Sequence, residues 1–133
     1  MAITKGYKAL IDEAGARIKT YTVEQVQARL ADPAVQLIDI REGKELDREG
    51  IIPGAFHAPR GMIEFWVDPD SPYYKPVFGE NREFIFFCAG GWRSALTTDI
   101  VQQMGLAPVA HIEGGFKAWK AAGAPVAEKP KKA

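Results

Sequence analysis

The feature that most constrains the fold of this chain is the alternation of short apolar segments with helical patterns. Residues 35–40 and 83–87 are nearly continuous runs of aliphatic and aromatic side chains, a composition typical of strands that are buried on both faces. Residues 108–112 form a third short segment of this kind. Between such segments, apolar residues recur at the spacing of a helix. This alternation predicts an α/β fold with a central parallel sheet that helices cover on both faces.

Helices can be placed from apolar spacing and capping residues, the last of them over residues 116–122 before Gly123. Residues 4–14 predict a first helix that ends at Gly15. Thr22 predicts the start of a second helix, because Gln25 follows at the spacing of a capping box. A third helix begins near Ser94, and its predicted apolar face contains Leu96, Ile100, Val101 and Met104.

The length of the chain indicates one domain. Its 133 residues fall within the common range of about 100–150 residues for a domain. We predict a single domain over residues 1–127, followed by a polar, disordered tail over residues 128–133. Residues 62–79 are rich in aromatic residues and proline, which predicts a packed irregular segment rather than a flexible linker.

Charge and cysteine content narrow the functional classes. The chain has 17 basic and 17 acidic residues, so it has no net positive charge to attract nucleic acid or an anionic membrane surface. A single cysteine excludes an internal disulfide and suits a reducing compartment. Apolar runs are far shorter than the roughly 20 residues of a membrane span, and the first residues lack the apolar core of a secretory signal. We therefore expect a soluble, cytoplasmic protein with neither nucleic-acid nor membrane partners.

Cys88 is the main candidate for a catalytic residue, because it lies in a loop that suits an anionic sulfur. It follows a predicted buried strand and precedes Gly90 and Gly91, which let the backbone curl with its N–H groups inward. The helix predicted to begin near Ser94 favours negative charge at its N-terminal end. Arg93 adds a permanent cation. Together these features favour a thiolate nucleophile over the inert, buried thiol that a lone cysteine commonly is.

The two histidines do not fit a cysteine hydrolase or a metal site. Neither His57 nor His111 lies in the loop of Cys88, where a hydrolase would need a base. We expect His57 to stabilise a turn, and His111, within a predicted strand, to pack in the core or face solvent. The spacing of these residues matches no metal-ligand pattern, and the chain has no Gly-x-x-x-x-Gly-Lys phosphate loop. The sequence therefore predicts neither a metal nor another cofactor.

Phosphate chemistry is the competing interpretation of this loop. Cysteine phosphatases place five residues between the cysteine and an arginine, whereas only residues 89–92 separate Cys88 from Arg93. The shorter loop makes a tighter ring of backbone N–H groups. Such a ring suits a small group on the cysteine, such as one transferred sulfur atom.

Four segments of the chain resemble the single-domain rhodaneses, a family of sulfurtransferase domains. They are residues 37–42 (Leu-Ile-Asp-Ile-Arg-Glu), 50–57 (Gly-Ile-Ile-Pro-Gly-Ala-Phe-His), 88–94 (Cys-Ala-Gly-Gly-Trp-Arg-Ser) and 114–126, which begins with Gly-Gly-Phe-Lys-Ala-Trp. The resemblance implies a rhodanese-like fold, to which residues 1–34 add a helical extension and residues 62–79 an insertion. Ile51 stands where the family usually has histidine, and the interior of the loop differs from the commoner loops.

The resemblance also implies a two-step sulfur transfer. The Cys88 thiolate would take the outer sulfur of an anionic donor such as thiosulfate, and an acceptor, cyanide or a thiol, would remove it from the persulfide. The backbone N–H groups of residues 89–94 would hold the anionic sulfur, and Arg93 would bind the donor. Trp92 would stack at the mouth of the site or pack on the domain. The implied substrate-binding residues are thus Ala89, Gly90, Gly91, Trp92, Arg93 and Ser94.

Asp39 and Arg41 lie at the end of another predicted central strand and are predicted as supporting residues. We expect Asp39 to brace the loop through hydrogen bonds. Arg41 is expected to form an ion pair with a nearby acidic residue, Glu42, Glu45 or Asp47. Neither residue is needed as an acid or a base, because sulfite and thiolates leave without protonation.

Two other functions stay open on this evidence. The domain could carry sulfur for a partner protein, or bind one, without turnover. It could also be a cysteine phosphatase or an arsenate reductase on the same fold, although the loop length disfavours this. The apolar surface expected on the first helix and on residues 62–79 is compatible with a homodimer.

Overall fold

A five-stranded sheet forms the centre of the structure, which is a computed structural model and describes residues 2–131. The strands are β1 (Lys19–Tyr21), β2 (Val35–Asp39), β3 (Phe56–His57), β4 (Glu83–Phe87) and β5 (Val109–Ile112). Their order across the sheet is β1-β5-β4-β2-β3, and every neighbouring pair is parallel. The prediction of an α/β fold with a central parallel sheet is therefore confirmed.

Helices pack against this sheet within the described part of the chain. The α-helices are α1 (Tyr7–Arg17), α2 (Val23–Gln27), α3 (Gly43–Glu49), α4 (Ile63–Val67), α5 (Trp92–Gln103) and α6 (Gly115–Ala121). Short 3-10 helices lie at Arg60–Met62 and Pro76–Gly79. Among residues 2–131, no helix combines the length and the apolar character that crossing a bilayer requires.

Strand β4 explains why the sheet needs helices on both sides. Ile85 and Phe87 pack on the face that contacts α2 and α6, whereas Phe84 and Phe86 pack on the face that contacts α4 and α5. All four side chains are buried. Burying an apolar side chain of this size contributes about 1.5–3 kcal/mol. The nearly continuous apolar run of β4 therefore favours two helical layers.

Helix α5 buries a different face from the one that its apolar spacing predicts. Ile100 and Met104 are 39% and 44% exposed, although Val101 is buried as expected. The other buried side chains of the helix are mostly small or hydroxyl-bearing, namely Ser94, Ala95, Thr97, Thr98 and Asp99. Helices α1 and α4 and strands β4 and β5 all pack against α5. Its buried residues therefore face several neighbours, since Asp99 binds Arg17 of α1 and Ser94 lies against His111 of β5.

The amino-terminal segment differs from its prediction in three respects, the first being that α1 begins at Tyr7 rather than near residue 4. Helix α1 continues through Gly15 to Arg17, whose Nε and Nη2 donate to the carboxylate of Asp99 on α5 at 3.0 and 2.7 Å. This bidentate contact stabilises the helix beyond the glycine. The chain then forms β1, which shows no strand pattern in the sequence because its three residues are mostly polar.

One other local prediction agrees with the structure, and a second agrees in part. The N–H of Gln25 donates to Thr22 Oγ1 at 3.2 Å, and the N–H of Thr22 donates to Gln25 Oε1 at 2.9 Å, which is the predicted capping box. Residues 62–79 are packed in part: Phe78 is buried and its ring centroid lies 6.2 Å from that of Phe56, whereas Phe65 and Tyr73 are exposed.

The carboxyl-terminal segment returns to the region of α3. Ile51 and Ala127 exchange backbone hydrogen bonds of 2.8 and 2.9 Å. Beyond them, Lys129 Nζ lies 3.1 Å from Asp47 Oδ1. The disorder proposed for residues 128–133 stays a prediction, and residues 132 and 133 lie outside the described residues.

Gly115, the first residue of α6, allows this helix to approach the loop of Cys88. Its φ is +60°, and a Cβ atom here would lie 2.5 Å from the carbonyl oxygen of Cys88 and 2.8 Å from that of Ala89. We expect Gly115→Ala to lower the free energy of unfolding by about 1–3 kcal/mol, because the backbone must shift and alanine must adopt a left-handed conformation. Urea denaturation followed by circular dichroism measures this loss.

Gly61→Ala is the matched control for this prediction. Among the described residues other than its two chain neighbours, no heavy atom lies within 4 Å of the ideal Cβ position of Gly61, and its φ is not positive. Its denaturation midpoint should stay close to that of the unaltered protein. Equal midpoints for Gly61→Ala and Gly115→Ala would contradict the close approach.

Candidate active site

Cys88 directly follows β4, so the central strand determines its position. Its side chain is 1% exposed and packs between the sheet and helices α4 and α5. Gly91 has a φ of +104°, and this left-handed residue turns the chain into α5. The helix begins at Trp92, two residues before the predicted start. Its N-terminal end therefore lies beside the sulfur.

Two backbone N–H groups and one hydroxyl contact the sulfur of Cys88 within residues 2–131. The N–H of Gly91 donates to Sγ at 3.1 Å, and the N–H of Ser94 donates at 3.4 Å. The Oγ of Ser94 lies 3.5 Å from Sγ. Amide donors and the positive end of a helix stabilise negative charge. The arrangement therefore suits a sulfur in its anionic form.

The ring of N–H groups that the sequence predicts is only partly formed around the sulfur. In the described part of the chain, Sγ receives no hydrogen bond from the other loop residues, Ala89, Gly90, Trp92 and Arg93. The N–H groups of Trp92 and Arg93 lie in the first turn of α5, where a helix offers no internal acceptor. They remain available to an anion bound next to the cysteine.

An open cavity of about 420 Å³ adjoins the cysteine and is lined by Cys88, Gly90, Trp92, Arg93 and Lys117. Trp92 is 60% exposed, and its ring centroid lies 5.0 Å from that of Tyr7 on α1. Trp92 thus lines the cavity and also packs on α1, and its stacking against a substrate stays a prediction. Lys117, in α6, is exposed and was not identified from the sequence.

Arg93 is bound by an acidic side chain from α3. Its Nη1 and Nη2 donate to the two carboxylate oxygens of Glu45, each at 2.9 Å. The hydrogen bond from Arg93 is the main cause that lowers the pKa of Glu45 from its ordinary 4.5 to about 2. Much of the positive charge expected from Arg93 is therefore compensated before a substrate arrives.

Asp39 and Arg41 form a buried ion pair with each other. Nη2 of Arg41 lies 2.7 Å from Oδ2 of Asp39 and also donates to the carbonyl of Gly50 at 2.9 Å. The expected pairing of Arg41 with Glu42, Glu45 or Asp47 is wrong, because both partners of the observed pair are buried and need each other to balance charge.

Within residues 2–131, the Asp39 carboxylate binds Arg41 and makes no hydrogen bond to the loop of Cys88. Any bracing of the loop is indirect. The Arg41 guanidinium lies 4.0 Å from the ring centroid of Phe116, and the N–H of Phe116 donates to the carbonyl of Cys88 at 2.8 Å.

The two histidines occupy different environments. Nε2 of His57 lies 2.7 Å from the carbonyl oxygen of Arg41, which agrees with a role in stabilising a turn. His111 is buried in β5, and its Nδ1 lies 3.0 Å from Ser94 Oγ. Sequence reasoning missed this contact, for which the only signal is a histidine in an otherwise apolar strand. The described residues contain no group of three or more His, Cys, Asp and Glu side chains that could hold a metal ion.

Comparison with known proteins identifies a family whose model matches most of the chain. The family model of the rhodanese-like domain matches residues 22–122, which include the loop of Cys88 and helix α6. A Bacillus subtilis protein named "Putative sulfurtransferase YtwF" is 33% identical over 90 residues. These residues cover 68% of this chain and 78% of that protein.

Solved structures share the fold. A Rhodopseudomonas palustris protein of unknown function, described as a "Possible Tyrosine Phosphatase", is 51% identical with a TM-score of 0.93, over 96% of this chain and 98% of that one. A rhodanese-related protein of Thermoplasma volcanium is 22% identical with a TM-score of 0.68, over 84% of this chain and 99% of that one. The second similarity concerns the fold alone.

The contact between Glu45 and Arg93 predicts a pH-dependent contribution to stability. Because the pKa of Glu45 is lowered in the folded protein to about 2, the stabilisation is present above its ordinary pKa and is lost as the pH falls toward the lowered value. We expect the difference in unfolding free energy between the unaltered protein and Glu45→Gln to shrink as the pH falls from about 5 to about 2. Urea denaturation at several pH values measures it.

Glu49→Gln, which alters a more exposed carboxylate on the same helix, controls for the general effect of acid. A difference between the unaltered protein and Glu45→Gln that stays constant over this pH range would contradict the stabilising role of the ion pair.

Proposed function

The chain belongs to the rhodanese-like domain family, and from this membership we propose that it is a sulfurtransferase that carries a sulfane sulfur as a persulfide of Cys88. The observation that supports this most directly is the environment of Sγ. The N–H groups of Gly91 and Ser94 point at this atom from 3.1 and 3.4 Å. Because they are positioned before any reaction, they stabilise negative charge on sulfur without reorganisation.

The proposed transfer consists of two displacements on sulfur. The Cys88 thiolate attacks the outer sulfur of thiosulfate, a new S–S bond forms, and the electron pair of the broken S–S bond leaves with sulfite. Cyanide or a thiolate then attacks the outer sulfur of the persulfide, and the electron pair of that S–S bond returns to Cys88. Neither step needs a proton donor, because sulfite and the cysteine thiolate both leave as anions.

Lys117 is the cation that we assign to the anionic donor. Arg93 also lines the cavity, but its two terminal nitrogens are already bound to Glu45. Lys117 forms no ion pair within the described residues, so its charge is free to attract the sulfonate group of thiosulfate. The remaining N–H groups of Arg93 and the first-turn N–H groups of α5 then complete the anion site.

Phosphatase activity is the less favoured alternative. It is suggested by the description of one structural relative. A phosphate group needs a wider loop than the four residues between Cys88 and Arg93 allow, and the arginine that would bind the phosphate is held by Glu45. The geometry of the loop therefore supports a single sulfur atom on the cysteine better than a phosphoryl group.

The proposal is tested by incubating the protein with thiosulfate and cyanide and following thiocyanate. We expect turnover in the unaltered protein and none in Cys88→Ala, because the nucleophile is lost. Intact-mass measurement after thiosulfate alone should show the gain of one sulfur atom on the unaltered protein, which a thiol then removes. The same gain should be absent from Cys88→Ala.

The outcomes separate the competing functions. Equal thiocyanate formation by the two proteins would refute catalysis by Cys88. A mass gain without turnover would instead support a sulfur carrier that delivers its cargo to a partner protein. Hydrolysis of an aryl phosphate that disappears in Cys88→Ser would favour the phosphatase.

Lys117→Ala tests the assignment of the donor site. We expect it to raise the KM for thiosulfate by about three- to tenfold with a smaller change in kcat, because it removes charge attraction rather than the nucleophile. Lys120→Ala is the matched control, since Lys120 is an exposed lysine on the same helix that does not line the cavity. Similar KM values for the two variants would contradict the assignment.

A further inference from the structure

The hydroxyl of Ser94 lies between the sulfur of Cys88 and the ring of a buried histidine. Its Oγ is 3.5 Å from Cys88 Sγ and 3.0 Å from Nδ1 of His111. We propose that His111 is a positioning residue that donates from Nδ1 to Ser94 Oγ and thereby directs the hydroxyl proton of Ser94 toward the sulfur. This inference rests on the proposed function, since it concerns the same cysteine.

The proton of the Ser94 hydroxyl has competing acceptors, and the state of His111 decides among them. With Cys88 as a thiol, Ser94 Oγ accepts from Sγ and donates to the carbonyl oxygen of Gly91 at 3.3 Å. Nδ1 of His111 could also accept the hydroxyl proton if it carried none, whereas a Cys88 thiolate is itself an acceptor. When Nδ1 is protonated, it donates to Oγ and is no longer an acceptor. The sulfur of Cys88 in its anionic form is then a stronger acceptor than the neutral carbonyl of Gly91.

His111 can act in this way because it is neutral. Burial lowers the pKa of its ring from 6.5 to about 4, so at neutral pH the ring carries one proton. The ring can donate that proton without adding a charge to the core. All four residues of β5 are buried, and the other three are apolar. The hydroxyl of Ser94 is what satisfies the polar ring in this setting.

Charged groups around the sulfur do not take part in this contact. Arg93 on α5 and Lys117 on α6 line the cavity beside the sulfur, Glu45 on α3 binds Arg93, and Asp39 at the end of β2 binds Arg41. Within residues 2–131, Ser94 Oγ is the hydrogen-bond partner of the His111 ring. An effect of His111 on Cys88 should therefore pass through Ser94.

The oriented hydroxyl would serve the proposed reaction twice. The hydroxyl stabilises the Cys88 thiolate when the thiolate attacks the donor. It stabilises the thiolate again when the acceptor takes the outer sulfur of the persulfide and the Cys88 thiolate is released. Without a donor at position 111, the Ser94 hydroxyl is less polarised, so its hydrogen bond to the thiolate is weaker. The thiolate is then less stabilised.

The test compares two variants of nearly equal size. In His111→Asn, the side-chain amide keeps an N–H at the position of Nδ1, whereas His111→Leu has the same branched shape without a donor. The rate of Cys88 alkylation by iodoacetamide, measured against pH, reports the thiolate without requiring sulfur transfer. We expect His111→Leu to react about three- to tenfold more slowly at neutral pH, with its profile displaced to higher pH. His111→Asn should remain close to the unaltered protein.

The same two variants in a Ser94→Ala background show whether the effect passes through the hydroxyl. In this background, His111→Asn and His111→Leu should give the same rate of Cys88 alkylation. If His111→Asn and His111→Leu slow Cys88 alkylation equally while Ser94 is present, the proposal is overturned. It is also overturned if His111→Leu slows alkylation as much in the Ser94→Ala background as in the unaltered protein.

His111→Gln provides a polar alternative should the leucine variant not fold, because its amide lies one bond further from the backbone than Nδ1. It is expected to react as slowly as His111→Leu, and a rate equal to that of His111→Asn would contradict the proposal. A protein that shows these alkylation rates but forms no thiocyanate would refute the proposed function alone.

Discussion

The hydrogen bonds from α6 to the carbonyl groups of the cysteine loop hold that loop in place, and the rest of the site depends on the position of the loop. The N–H of Phe116 donates to the carbonyl of Cys88 at 2.8 Å, and the N–H of Lys117 donates to that of Ala89 at 3.0 Å. These N–H groups belong to the first turn of a helix and have no acceptor within it, so both the helix end and the loop gain from the contact. The same turn brings the side chain of Lys117 to the cavity.

Charge at the site is largely paired inside the protein. Arg93 binds Glu45 through two hydrogen bonds of 2.9 Å, and Arg41 binds Asp39 at 2.7 Å in the interior. The first pair connects the cysteine loop to α3, and the second balances the buried charges at the end of β2. Both pairs are therefore structural contacts as much as binding groups. In the proposed donor site, attraction of an anion falls to Lys117, to the remaining N–H groups of Arg93 and to backbone N–H groups.

The parts of the fold that could be predicted are those with local signals. The apolar run of β4 and the capping box of Thr22 are visible because each depends on neighbouring residues. Helix α1 continues beyond Gly15 because Arg17 reaches Asp99 on another helix, and β1 exists because it pairs with β5. The exposed Ile100 likewise reflects which elements surround α5, and apolar spacing alone cannot distinguish a sheet from a flanking helix as the neighbour.

For the site, the order of residues is enough to identify the nucleophile candidate and its loop, since a strand, Cys88, two glycines and a helix start follow one another along the chain. Which side chains complete the site depends on how the elements pack. Glu45 lies 48 residues from Arg93, and His111 lies 17 residues from Ser94. Such partners meet only when separate elements pack on one sheet. Hydrogen bonds also depend on distances of a few tenths of an ångström, which spacing along the chain does not encode.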